Sequence, residues 1–302
     1  MKPSNRLALA LAAVAALATG FLVMRARQPA CAEPVSCNAM PQGPDARRVA
    51  TPAGRTFGPL PQGDFRTTRA LLESRALAGD AEAAFRLGEV IGRCRKYESI
   101  SDSTFATLLA GLAGMLDRGL RLGDERISGT EAIGLLSDAK ADADALCEGT
   151  AGMTASMSLA DAHRWNHHAA TLGHTRAMAA YADHAFSEFP TVADLVDNAA
   201  EVARRRETAR AMIERALRAG EPEALRALAI AHGTDGWMRR DPVLALAYWQ
   251  AYRLTPAGQA LSSTVAALVE RQLRSRVDPV GEARARGLAR ALLARHFREA
   301  AK

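Results

Sequence analysis

The stretch WNHHAATLGHTRAMAAY, residues 165–181, decides the fold. Trp165, Ala169 and Ala170 fall on one face of a helix, and Gly173 ends that helix. A second helix of the same spacing follows and leads to Tyr181. The pattern predicts a helix–turn–helix unit in which small residues let two helices approach closely.

The same spacing recurs twice, which indicates an array. In each unit, small or apolar residues follow the first apolar residue after 5, 8, 12 and 16 positions, and the residue after 8 positions is glycine. The three sets are Leu71, Ala76, Gly79, Ala83 and Leu87; Trp165, Ala170, Gly173, Ala177 and Tyr181; and Met212, Leu217, Gly220, Ala224 and Leu228. The glycines are 94 and 47 residues apart, so insertions are expected between units, above all from Ser99 to Gly152.

The composition favours helices and gives little reason to expect a polyanionic partner. Aromatic residues are only 5%, while alanine, leucine and arginine dominate. The net charge is +6, and nearly all of the positive charge is arginine. An arginine- and alanine-rich chain is typical of GC-rich coding, so we do not predict nucleic-acid binding.

The first 27 residues read as a membrane anchor or an export signal. Leu7 to Met24 is an uncharged, nearly all-apolar run behind Lys2 and Arg6, just long enough to cross a bilayer as a helix. The small residues of Ala16–Ala18 also fit a signal-peptide cleavage site. Both readings stay open, and both export the remainder. The expected location is the bacterial cell envelope: anchored in the inner membrane and facing the periplasm, or periplasmic if the signal is cleaved.

Residues 28–66 are rich in proline and glycine and read as a flexible linker, and residues 67–302 read as the helical domain. Within the domain, Ser128 or Thr130 is expected to cap a helix of the inserted region. Asp241 and Pro242 are expected to start another helix. The last helix is expected to carry an arginine-rich outer face.

Export makes disulfides the expected state of the four cysteines. Cys94 and Cys147 are the natural pair within the helical region. Their bond is expected to stabilise the fold by roughly 4 kcal/mol on the chain-entropy model. Cys31 and Cys37 are candidates for a second disulfide. None of the spacings is a zinc signature.

No motif predicts a catalytic, cofactor or metal site. The chain has no nucleophile elbow, no phosphate-binding glycine loop and no HExxH zinc motif. His163 and His167 share a helix face, yet two histidines alone make a weak metal signal. His167, His168 and His174 fall between the packed columns and are expected at the surface. The Arg204–Arg206 run is also expected on a helix surface.

Aromatic residues divide into core and contact candidates. Trp165, Tyr181, Tyr248 and Trp249 are expected to pack in the core. Trp237 lies in a loop beside arginines, so the candidate partner contacts are Trp237, Arg239 and Arg240.

These units resemble Sel1-like repeats, the tetratricopeptide-related helical hairpins common in bacterial exported proteins. The resemblance rests on residues 79–88 (GDAEAAFRLG), on the columns of the 165–177 unit, and on Asp241, Ala245 and Tyr248. The family's G-x-G-V loop is missing after Leu87 and Tyr181. The resemblance implies an all-α fold, an α-solenoid of degenerate hairpins.

Family members are typically scaffolds and adaptors, so the resemblance implies a non-enzymatic periplasmic protein that binds another protein through the solenoid groove. A periplasmic immunity protein that neutralises a secreted toxic effector is the alternative. A cell-wall hydrolase is not expected, because the sequence shows no cluster of convergent acids.

Overall fold

The computed structural model describes residues 57–97, 99–116, 120–122, 125–234 and 237–297. The predicted all-α fold is confirmed: helical hairpins stack into an α-solenoid, and one short antiparallel β-hairpin lies in the insertion. The elements are α1 (Phe65–Leu77), α2 (Ala81–Cys94), α3 (Asp102–Leu116), β1 (Leu120–Leu122), β2 (Glu125–Ile127), α4 (Gly129–Leu146), α5 (Leu159–Thr171), α6 (Thr175–Ala185), α7 (Val192–Asp197), α8 (Ala199–Arg218), α9 (Pro222–Gly233), α10 (Pro242–Arg253), α11 (Pro256–Ala260), α12 (Ser263–Arg274) and α13 (Pro279–His296).

Three hairpins share one turn geometry: hairpin 1 (α1 and α2), hairpin 2 (α5 and α6) and hairpin 3 (α8 and α9). Each first helix ends at a glycine with positive φ: Gly79 at 98°, Gly173 at 100° and Gly220 at 77°. In each turn the glycine N–H donates to the residue three before it, and the next N–H donates to the residue five before it. This is a Schellman motif, in which glycine tolerates the left-handed backbone.

The residue after each glycine caps the second helix. Asp80 accepts from the N–H groups of Glu82 and Ala83, while Glu221 accepts from the N–H of Glu223. In hairpin 2 the ring of His174 plays the same part. One turn therefore ends the first helix and starts the second, which fixes the antiparallel pair.

The second helix of each hairpin packs against the first helix of the next one. Helix α2 packs on α5, α6 on α8, and α9 on α10, with α13 pairing with α10 at the C-terminal end. The α2–α5 contact is close because Gly88 lacks a side chain. A Cβ at Gly88 would lie 2.8 Å from the backbone nitrogen of Asn166 and 3.1 Å from the carbonyl oxygen of Ala162. Gly88 is not one of the marker residues and the contact joins two hairpins, so the alignment of the units does not predict it.

Apart from the turn glycines, the marker columns are buried except at Leu71. Trp165 and Met212 are 7% and 8% exposed, as the alignment predicts, but Leu71 is 53% exposed. Leu71 belongs to hairpin 1, and within the described residues no earlier hairpin covers that face. Leu71 therefore lies outside the core, although its place in the repeat is equivalent to that of Trp165 and Met212.

The insertion between α2 and α5 returns to the array at two places. Cys94 and Cys147 form a disulfide with their Cα atoms 5.4 Å apart, which ties the end of α4 to the end of α2. At its other end α4 starts with a capping box on Ser128. There Glu131 accepts a 2.9 Å hydrogen bond from Arg271 of α12. With 18 residues, α4 is about 27 Å long and links hairpin 1 to the C-terminal helices.

The C-terminal end follows the expected order. Asp241 caps α10 and Pro242 is its first residue, as predicted. Phe297, at the end of α13, is buried at 8% exposure.

Several predictions lie outside the described residues: the Leu7–Met24 segment, the linker before residue 57 and the Cys31–Cys37 pair. Among the described helices, none has both the length and the apolar character that a membrane crossing requires.

Candidate functional site

A cluster of aromatic and charged side chains lies where α5, α6 and α8 meet, at the boundary between hairpins 2 and 3. We call His163, His167, Tyr181, Glu201 and Arg204 the seam cluster. The two imidazole rings stack with centroids 5.9 Å apart, and both meet the Tyr181 ring edge-on, at 5.4 and 5.6 Å. Tyr181 is buried at 2% exposure, while both histidines are half-buried. The predicted core packing of Tyr181 is confirmed.

Burial keeps both histidines neutral. It lowers the pKa of His163 to about 4, with the charge of Arg205 as the next cause. The pKa of His167 is also lowered, by burial and by Arg204. Within the described residues the buried Nδ1 of His163 has no hydrogen-bond partner. At neutral pH the two imidazole rings are therefore uncharged.

Arg205 of α8 lies next to the seam cluster and bonds to the end of α6. Its guanidinium donates to the carbonyl oxygen of Ala185 at 2.7 Å and pairs with Glu188 at 3.0 Å and Glu201 at 2.6 Å. It also lies 4.9 Å above the ring of Phe189. Because Arg205 is only 8% exposed, the expectation that the whole Arg204–Arg206 run lies on the surface is wrong.

Arg204 is the exposed member of the seam cluster. Its side chain is 66% exposed and pairs with Glu201 through two nitrogen atoms. Both arginines lower the pKa of Glu201 to about 2, chiefly through hydrogen bonds from Arg204, so this carboxylate stays charged. The seam thus presents one positive, planar guanidinium beside neutral imidazole rings from the preceding hairpin.

Two other histidines connect hairpins rather than line the surface. The Nε2 of His168 lies 3.0 Å from the carbonyl oxygen of Ala76 and must donate to it. His174 accepts the N–H of Ala177 at Nδ1, so its Nε2 carries the proton and donates to Glu82 at 2.7 Å. The prediction of surface histidines is wrong here, because column spacing shows which residues face the core but not which reach the next hairpin.

The loop between α9 and α10 holds the candidate partner contacts. The Trp237 ring is half-buried and stacks on Phe186 with centroids 6.5 Å apart, so part of it covers the end of α6. Arg239 and Arg240 are exposed. The carbonyl oxygen of Arg239 lies 3.0 Å from Nδ1 of His232. Their role in partner binding stays a prediction.

The predicted core packing of Trp249 is confirmed, because its side chain is fully buried. Tyr248 is only half-buried, and its ring stacks on the His232 ring with centroids 5.7 Å apart. In the part of the chain that the structure describes, no group of three or more His, Cys, Asp or Glu side chains could hold a metal ion.

Comparisons with known proteins give a distant likeness to a solved structure. No protein-family model matches the chain, and no curated protein matches it. Among solved structures, it is similar to the crystal structure of c5321, a protective antigen present in uropathogenic Escherichia coli strains and displaying an SLR fold. The identity is 15% and the TM-score is 0.37, and the match covers 78% of this chain and 50% of that one.

The chain thus spans about half the length of that protein. The helical-repeat fold itself follows from the three equivalent turns and the stacked hairpins of this chain. The Sel1-like resemblance stays a prediction.

Proposed function

We propose that this chain is a non-catalytic scaffold of the bacterial cell envelope that binds a protein partner across the seam between hairpins 2 and 3. The observation that carries the proposal is the seam cluster, where an exposed arginine and stacked imidazoles from two hairpins form one surface. Most of the binding energy of a protein–protein interface comes from a few residues, often arginine or aromatic, whose neighbours exclude water from the contact. The seam supplies both in adjacent positions.

Hydrogen bonds join the two hairpins at their boundary, and a preorganised surface lowers the entropic cost of binding. Arg205 fixes the end of α6 to α8 from beneath, and Thr175 of hairpin 2 donates to Glu221 of hairpin 3 at 2.6 Å. A partner that contacts both hairpins therefore meets a preformed surface. Glu201 already accepts from Nε and Nη2 of Arg204, so a carboxylate on the partner would bind at the remaining edge of the guanidinium.

The proposed location rests on the apolar N-terminal run and on the Cys94–Cys147 disulfide, which suits an oxidising compartment. Photo-crosslinking in intact cells tests the function. A photoreactive amino acid replaces Ala200, exposed one helical turn before Arg204, in one strain and Arg210, exposed on another side of the same helix, in the control strain. Arg204 itself stays intact, and we expect one discrete crosslinked protein from position 200 and none from position 210. Identical products from both positions, or no product from either, would refute binding at the seam.

A further inference from the structure

Helix α13 has one side that is exposed to solvent along its whole length. The helix packs on α10, and on that side Ala285 and Ala289 are buried. On the opposite side a Cβ added at Gly287 would meet nothing within 4 Å. At 3.6 residues per turn, five exposed residues fall there within a sector of about 80°, which we call the outer stripe. They are Val280, Ala283, Gly287, Ala291 and Ala294.

Exposed arginines flank the outer stripe on both sides. They are Arg284 and Arg295 along one edge, and Arg286 and Arg290 along the other. Glu282 is the one acid between residues 279 and 297, and it pairs with Arg286 at 2.9 Å and with Arg274 at 3.4 Å. Among the described residues, no carboxylate pairs with the other three arginines of the stripe. Both edges therefore carry positive charge that is open to a partner.

The positive charge extends to the C-terminal end of α13. Burial lowers the pKa of His296, and the charges of Arg295 and of Arg218 on α8 lower it further. The nearest carboxylate to Arg218 is that of Glu214, at 3.6 Å and on the same helix. A negatively charged partner would thus meet favourable charge over the full length of the stripe.

The small side chains of the outer stripe suit a second helix. The distance between two packed helices depends on the side chains at their contact, so small residues permit a close approach. The α2–α5 contact shows this within the same chain, because Gly88 there lies against the backbone of α5. Helices that lie on a membrane surface instead bury large apolar side chains. Val280, 78% exposed, is the one residue of the stripe larger than alanine.

We propose that the outer stripe of α13 docks an acidic amphipathic helix of a partner protein. The apolar face of that helix would lie over Gly287, and its aspartates or glutamates would reach Arg284 and Arg290 on either side. Charge complementarity selects this occupant, since a second copy of α13 would bring arginines against arginines. The stripe and the seam cluster lie on different helices, and the proposal does not rest on the function proposed above.

Fluorescence anisotropy of a labelled model peptide tests the proposal. The peptide contains leucine, alanine and glutamate, with the apolar residues at helical spacing and glutamates on both flanks, and is titrated with the full-length protein. Gly287→Gln places a long neutral side chain in the open space above the stripe, and should weaken binding about fivefold or more. Arg284→Gln with Arg290→Gln removes one charge from each edge, and should also weaken binding about fivefold or more.

Two matched controls make the same changes at exposed positions outside the stripe. One is Ala211→Gln on α8, and the other is Lys96→Gln with Arg210→Gln. We expect both to bind the peptide within about twofold of wild type, because distant exposed charges are screened. Far-UV circular dichroism checks that each variant folds. If Gly287→Gln fails to fold, the two charge variants decide.

Several results would overturn the proposal. They are the absence of saturable binding, equal binding of a matching leucine–lysine peptide, unchanged binding by Gly287→Gln, and equal weakening by the controls. Binding to phosphatidylglycerol vesicles that Arg284→Gln with Arg290→Gln abolishes, without peptide binding, would assign the stripe to an anionic lipid surface instead. Self-association of the wild-type chain that Gly287→Gln abolishes would assign it to a second copy.

Discussion

Substituting Gly88 by alanine tests the close packing of hairpin 1 on hairpin 2. The added Cβ would lie 2.8, 3.1 and 3.2 Å from three backbone atoms of α5, namely Asn166 N, Ala162 O and Asn166 Cα. No side-chain rotation relieves contacts with backbone, so α5 itself must move by roughly half an ångström, and interiors resist such shifts.

The magnitude follows from two opposing effects. Overpacking at a rigid site costs about 3 kcal/mol at the upper end of its usual range. Alanine recovers about 1 kcal/mol over glycine inside a helix. We therefore expect Gly88→Ala to lower the free energy of unfolding by about 2 kcal/mol, which in a domain of this size lowers Tm by about 4–8 °C.

Gly287→Ala is the matched control, because Gly287 is also inside a helix and a Cβ there meets nothing within 4 Å. It should raise the free energy of unfolding by roughly 0.5–1 kcal/mol. Urea unfolding followed by far-UV circular dichroism measures both. If Gly88→Ala is as stable as Gly287→Ala, α2 and α5 do not pack as described.

Three further substitutions probe the disulfide, the seam and Arg205. Replacing Cys94 and Cys147 by alanine removes the constraint on a loop with sequence separation 53. This change should lower the free energy of unfolding by roughly 4 kcal/mol. An unchanged urea midpoint would contradict this prediction. The pKa of His163 falls from 6.5 in the unfolded chain to about 4 in the fold. The unfolded state therefore binds more protons between these values, and stability should fall as pH drops below 6.5, by on the order of 1 kcal/mol per pH unit. His163→Gln should reduce this slope, as measured by urea midpoints from pH 7 to 5, and an unchanged slope would count against neutral burial. Arg205→Leu should destabilise by about 2 kcal/mol, because it leaves the Ala185 carbonyl and the half-buried Glu188 carboxylate without their guanidinium partner. Thermal unfolding checks this, and a loss below about 1 kcal/mol, typical of an exposed pair, would contradict the structural role of Arg205.

The sequence predicts the hairpins well because their determinants are local. Glycine at the turn, a capping residue after it, and apolar residues at helical spacing lie within a few positions of each other. Gly79, Gly173 and Gly220 show the same turn hydrogen bonds, as equal spacing suggests. Residue spacing does not show where a unit lies in the array. Leu71 and Trp165 are equivalent in the repeat, yet Leu71 of the first hairpin is exposed and Trp165 of the second is buried.

The seam could be predicted only in part. Helical periodicity places His163 and His167 on one face, but their contact with Tyr181 depends on how hairpin 2 closes. Burial of Arg205 depends on a partner, Glu188, that lies in the connection after α6. That connection has no repeat signal, so no pattern could reveal the ion pair.

The path of α4 could be predicted only at one end. The Cys94–Cys147 pair predicts that its C-terminal end returns to α2, whereas its bond to Arg271 joins residues 140 positions apart and has no signal in the sequence. The even split of polar and apolar residues along α4 does not show which neighbour it meets. An unexpected result is the short β-hairpin that precedes it.

The affinity of the crosslinked partner for seam variants tests the central claim most directly. Isothermal titration calorimetry would compare wild type, Arg204→Ala combined with His167→Ala, and Arg210→Ala as control. We expect the seam variant to bind the partner about tenfold or more weakly, with its unfolding nearly unchanged, and the control to bind with near-wild-type affinity. Equal affinity of all three proteins would contradict partner binding at the seam between hairpins 2 and 3.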